Sequence, residues 1–157
     1  MISEPKTLCI LGIGNTIRSD DGIGAYICRQ LQGIPLEGVT IQEVHQLQTE
    51  WISELSMYDH VILIDAGNSG IPVSFHPLPI DQDFNANLSH HLDASVLAKL
   101  MYRYNPSGTK LHVCVVAGEN FELGDSLSVI GKEHADKAFG TLKDWLQQNG
   151  FMSAPNA

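Results

Sequence analysis

The chain has 157 residues, with 18 Asp and Glu against 9 Lys and Arg, for a formal net charge of −9. That length suits one domain with a single core, and the acidic balance excludes nucleic acid and an anionic membrane surface as partners, since both demand basic surface. No apolar run reaches spanning length, and Met1-Ile2-Ser3-Glu4-Pro5-Lys6 contains no hydrophobic leader core, so the expected location is the cytoplasm.

In chain order, Leu8–Ile13 is a continuous apolar run, predicted as a strand buried on both faces. Gly12-Ile13-Gly14-Asn15 closes it. Ser19-Asp20-Asp21-Gly22-Ile23-Gly24 then opens an amphipathic helix, in which Ile23, Ile27 and Leu31 recur at helical spacing until Gly33 and Pro35 stop it. Thr40–Val44 alternates and is expected near a sheet edge, and Trp51 to Tyr58 is a short helix. Val61–Asp65 is a second continuous strand. From Ala66 to Ser89 there is no helical pattern, and Pro72, Pro77 and Pro79 punctuate the segment. Val73–His76 is expected there as an edge strand, where proline is tolerated, and 81–87 as a flap beside the site. Leu92, Val96, Leu100 and Tyr104 form the next helical stripe, halted by Asn105-Pro106-Ser107-Gly108. Leu111–Val116 is a third buried strand. Ala135, Phe139, Leu142 and Leu146 mark a last helix with Gly150 just past its end, and 152–157 should fray. Strand and helix alternate, which predicts an α/β fold: a single three-layer domain over 1–157, with a mostly parallel twisted sheet of about five strands and helices on both faces.

The glycine turn after the first strand invites a phosphate reading, but the position of the third fingerprint glycine holds Ile17, and no P-loop lysine follows. Two carboxylates at the positive end of a helix would repel phosphate and instead suit a cation or acid–base chemistry. The plainer alternative makes Ser19 an N-cap and Asp20 and Asp21 ordinary first-turn acids, each worth ~0.3–1 kcal/mol. Adjacent helical residues point about 100° apart, so only one of the two acids can face the crevice beyond the strand ends. Asp65 ends a buried apolar strand and needs a partner there, either a ligand or loop amides. Ser89-His90-His91 precedes the third helix and could bring an imidazole over the same crevice. Two carboxylates and an imidazole suit a borderline divalent metal such as nickel or zinc. His45, His60, His76, His112 and His134 show no ligand spacing, and His112 reads as a satisfied core histidine. Cys9, Cys28 and Cys114, odd in number and without a CxxC pair, read as buried thiols of a reducing compartment.

Taken together, Gly-x-Gly-Asn at 12–15, Asp-Asp-Gly-x-Gly at 20–24, Asp65-Ala66 and Ser89-His90 resemble the hydrogenase maturation endopeptidases. The stretch Gly118-Glu119-Asn120-Phe121-Glu122-Leu123-Gly124, followed by Leu127-Ser128, extends the similarity over nearly the whole chain. The resemblance implies removal of a short C-terminal peptide from the nickel-loaded large-subunit precursor of a nickel–iron hydrogenase. It assigns Asp21 and Asp65 as catalytic acids and Asp21, Asp65 and His90 as metal ligands. His90 stands three residues before Asp93, with His91 as its rival. Nickel would arrive with the precursor, and zinc or cadmium would substitute in vitro. The free protein is expected to be a monomer; the family is classed as aspartic type, and the resemblance leaves the attacking water activated either by the metal or by a carboxylate. Where many members carry an Asp-Gly-Gly-Thr-like stretch, this chain has His45-Gln46-Leu47. That variant is similar to the subgroup serving bidirectional NAD(P)-linked hydrogenases, which makes the three residues candidates for client recognition. Asn120 replaces a proline common in the family. The alternatives are a non-enzymatic nickel-sensing chaperone or docking factor and a nucleotide-binding module.

Overall fold

The computed structural model describes residues 6–78, 94–104 and 108–153. Strands β1 (Leu8–Ile13), β2 (Val39–Val44), β3 (His60–Gly67), β4 (Val73–Leu78) and β5 (Lys110–Ala117) form one sheet in the order β2-β1-β3-β5-β4. The first four strands in that spatial order run parallel, and β4 pairs antiparallel with β5. The register aligns Leu8 with both Val39 and His60, and His60 with Lys110, so the carboxyl ends of β1, β3 and β5 open at one edge of the sheet.

Helices α1 (Ile23–Gln32), α2 (Trp51–Leu55), α3 (Ala94–Tyr104) and α4 (Val129–Gln148) supply the outer layers. Alternate residues of each central strand point to opposite faces, which divides the core in two. Leu8, Ile10, Ile62, Ile64, Cys114 and Val116 pack with Ile27 and Leu31 of α1 and Leu142 and Leu146 of α4. Cys9, Leu11, Val61, Leu63, Leu111 and Val113 pack with Leu55 of α2 and Leu97 and Met101 of α3. Both faces of β1 and β3 are therefore covered. That is why their sequences are continuous apolar runs rather than alternating ones.

The three-layer α/β architecture agrees with the sequence reading. β2 and β4 occupy the edges, and β4 is longer than expected, running through Pro77 to Leu78. A proline survives there because β4 pairs on one side only. α2 stops at Leu55, short of Tyr58. α4 ends in a Schellman motif: Phe151 N–H donates to Leu146 O at 2.9 Å and Gly150 N–H to Gln147 O at 3.3 Å, with Gly150 at φ +82°. All three cysteines are buried and free, and burial pushes each thiol up to about 12. Among the described residues, no helix is long and apolar enough to cross a membrane. The expected flap at 81–87, and Leu92 at the start of the third helical stripe, lie outside the described residues.

Candidate active site

β1 delivers the chain to the carboxyl edge of the sheet, where a 3-10 turn, Ser19–Gly22, leads into α1. The glycines of this region serve packing. A Cβ on Gly12 would meet the Gly24 carbonyl at 2.7 Å, and one on Gly24 would meet Ile64 O at 2.9 Å, so the pair lets α1 lie directly on the sheet. Gly14 sits at φ +144°, and a Cβ there would strike the Asp21 carbonyl. The turn is thus folded tightly back on the residue that carries the acid.

The two neighbouring aspartates have different surroundings. Asp20 is fully buried. Its Oδ1 accepts Ser128 N–H at 2.8 Å, and its Oδ2 accepts Glu119 N–H at 2.7 Å, Asn120 N–H at 2.9 Å and Ser128 Oγ–H at 2.7 Å. Ser128 Oγ in turn accepts Gly131 N–H at 2.9 Å and caps α4. Burial alone would raise the Asp20 pKa, but the bonds from Asn120, Ser128 and Glu119 outweigh it and hold the carboxyl below its usual range. Asp20 is therefore a clamp joining the β1–α1 turn to the β5–α4 loop. It is not the mildly stabilising first-turn acid of the plainer sequence reading. Ser19 is not an N-cap either: it sits at φ +51° and gives its hydroxyl proton to Glu122 O at 2.8 Å.

Asp21 is half-buried, and its Oδ2 accepts Asn15 N–H at 2.7 Å. Asp65 ends the apolar part of β3, in register with Val115. Desolvation and then the Asp21 charge raise its pKa to about 7, against a smaller opposing effect from Ala66 N–H. Two carboxylates that feel each other, with the Asp65 pKa raised to about 7, have the electrostatics that acid–base chemistry calls for. They stand beside the point where the sheet order reverses around β1, the usual binding crevice of such sheets.

His90, His91 and Asp93 lie outside the described residues. Among the described residues no three His, Cys, Asp or Glu side chains gather into a metal site. Asp21 and Asp65 supply an O,O pair suited to a divalent cation, and a third ligand would have to come from elsewhere.

A cleft of about 200 Å³ opens beside Asp21, lined by Gly12, Gly14, Asn15, Thr16, Ala25, Glu43, Val44 and His45. Of the three candidate recognition residues, His45 and Gln46 are exposed, whereas Leu47 is 5% exposed and packed in the core. Leu47 therefore cannot meet a client directly. His112 departs from its reading as a satisfied core histidine. Its Nε2 is buried without a hydrogen-bond partner, and its ring packs 5.0 Å from Trp145 and 5.7 Å from His60. The Asp20 clamp escaped sequence reasoning because its partners lie 99–108 residues away, and no local pattern signals such a bond.

No family model and no curated protein sequence matches the chain. Solved structures do. The hydrogenase maturating endopeptidase HybD of E. coli superposes with a TM-score of 0.76 at 23% identity, over 93% of this chain and 95% of that one. An endopeptidase of Escherichia coli gives 0.75 at 21% identity, over 93% and 95%. The [NiFe] hydrogenase maturation protease HycI of Thermococcus kodakarensis KOD1 gives 0.72 at 20% identity, over 90% and 93%. The chain has the fold of these hydrogenase maturation endopeptidases over almost its full length.

Proposed function

We propose that the protein is an endopeptidase that removes a short C-terminal peptide from the nickel-loaded large-subunit precursor of a nickel–iron hydrogenase. The observation that carries this reading is the Asp21–Asp65 pair at the sheet's carboxyl edge, in a fold shared with a hydrogenase maturating endopeptidase. In this reading Asp21, Asp65 and His90 engage the nickel that the precursor brings, so a bound metal marks a client as ready. Hydrolysis is of aspartic type. A carboxylate takes a proton from the water whose oxygen attacks the scissile carbonyl, and the same group passes that proton on to the leaving amine. Asp65, with its proton exchanging near pH 7, suits that exchange, and Asn15 N–H fixes the orientation of Asp21.

The client is a bidirectional NAD(P)-linked hydrogenase, selected in part by His45, which lines the cleft, and by its exposed neighbour Gln46. The protein works as a cytoplasmic monomer. Incubation with nickel-loaded precursor tests the reading: one cut near the precursor C-terminus, seen as a single mass loss, supports it. Tight binding without shortening would instead make the protein a nickel-sensing docking factor.

A further inference from the structure

We propose that the loops following β1 and β5 form a docking surface for the polypeptide substrate, shaped for an apolar segment that carries basic side chains. This rests on the endopeptidase reading above and names what part of the substrate is held, and where. Ile17 and Leu123 are 58% and 75% exposed, and they are not scattered. Arg18 bridges Gly124 in parallel, Gly124 N–H donates to Ile17 O at 2.9 Å, and Ser19 N–H donates to Gly124 O at 2.8 Å. These bonds join the backbone that carries Ile17 to the backbone that follows Leu123, so both exposed side chains stand on adjoining, hydrogen-bonded segments. Val129, 76% exposed at the start of α4, follows the Ser128 that Asp20 holds. One clamp therefore gathers the three segments carrying these side chains, all at the sheet edge that bears Asp21 and Asp65.

Two features say what covers this surface. It is fixed by backbone hydrogen bonds, so little ordering cost remains when a partner binds, and an apolar rim helps hold a chain rather than a lone ion. Its borders are acidic as well: Glu119, Glu122 and Asp125 are exposed, against Arg18 and Lys132, in a chain of net charge −9. Complementarity calls for a basic partner, drawn in by a field that salt screens.

The test separates docking from chemistry. Kd is measured for nickel-free precursor, which the proposed function leaves uncut, and KM and kcat for nickel-loaded precursor. Ile17→Glu with Leu123→Glu should raise both Kd and KM by at least about tenfold, roughly 1.4 kcal/mol, with kcat unchanged. Glu122→Lys with Asp125→Lys should weaken binding and flatten its salt dependence. Melting temperatures should match the wild type; if the glutamate pair melts early, Ile17→Ser with Leu123→Ser replaces it. Unchanged Kd and KM in a chain that still cuts would overturn the docking surface and spare the endopeptidase reading. A chain that binds but never cuts would fail that reading, with docking still decided by the Kd ratios. Absence of any binding by the wild type, or loss of a homodimer as the sole effect of the substitutions, would also overturn the docking surface.

Discussion

Asp20→Asn is the most informative perturbation of the fold around the site. All four acceptor contacts of the carboxylate are taken, three at Oδ2 and one at Oδ1. The best placement of an asparagine leaves its oxygen with the three donors and turns its NH2 toward Ser128 N–H, setting donor against donor in a buried site. Three charge-assisted bonds become neutral ones, at about 1 kcal/mol each, and the opposed donors cost roughly 1–3 kcal/mol. Relief of the buried charge offsets part of this, leaving a net loss of roughly 3 kcal/mol. With a urea slope of about 2 kcal/mol/M, the midpoint should drop by about 1.5 M.

The pH dependence adds a second check. The folded Asp20 pKa lies below its ordinary 3.8, so its stabilisation is complete above that value and is lost as pH falls through the folded pKa. The gap between wild type and variant should be flat near neutrality and close in acid. A loss under about 1 kcal/mol, or a gap indifferent to acid, would refute the clamp.

Three further outcomes follow from the same geometry. Asp21→Asn and Asp65→Asn should each abolish precursor processing. Because the folded Asp65 pKa is raised to about 7, its contribution favours the fold at low pH and is lost as pH rises through 7, so Asp65→Asn should melt higher than wild type at pH 8. Burial, then His60 and Lys110, lower the His112 pKa to about 4. Its contribution is present above 6.5 and lost as pH falls toward 4, and His112→Phe should flatten the decline in melting temperature between pH 6.5 and 4.5. Nickel or zinc titration should give one site whose affinity falls as pH drops through about 7, where a proton competes at Asp65. Loss of that site in His90→Ala but not His91→Ala would identify the ligand, and indifference to both would remove the histidines from it.

The fold was legible where burial writes a local pattern. The continuous runs at β1, β3 and β5 announce a doubly covered parallel sheet, and Gly150 announces the end of α4 through its positive φ. The proposed division of labour between Asp20 and Asp21 was legible only in part. Helical geometry requires the two to diverge, but that Asp20 turns toward Ser128 depends on tertiary pairing across the sheet. The orphaned Nε2 of His112 was hidden for the same reason: a histidine in an apolar strand looks alike whether its second nitrogen finds a partner or not. Leu47 shows the reverse case. A departure from the family pattern marks His45-Gln46-Leu47 as one stretch, whereas the side chains diverge and Leu47 enters the core.

The central claim is that this fold cuts a precursor whose metal centre is complete. Mass spectrometry of one large-subunit precursor, prepared with and without nickel and incubated with wild-type protein and with Asp21→Asn, tests it most directly. The account predicts a single C-terminal peptide released only from nickel-loaded precursor by the wild-type chain. Equal cleavage of nickel-free precursor, or cleavage that survives Asp21→Asn, would contradict it.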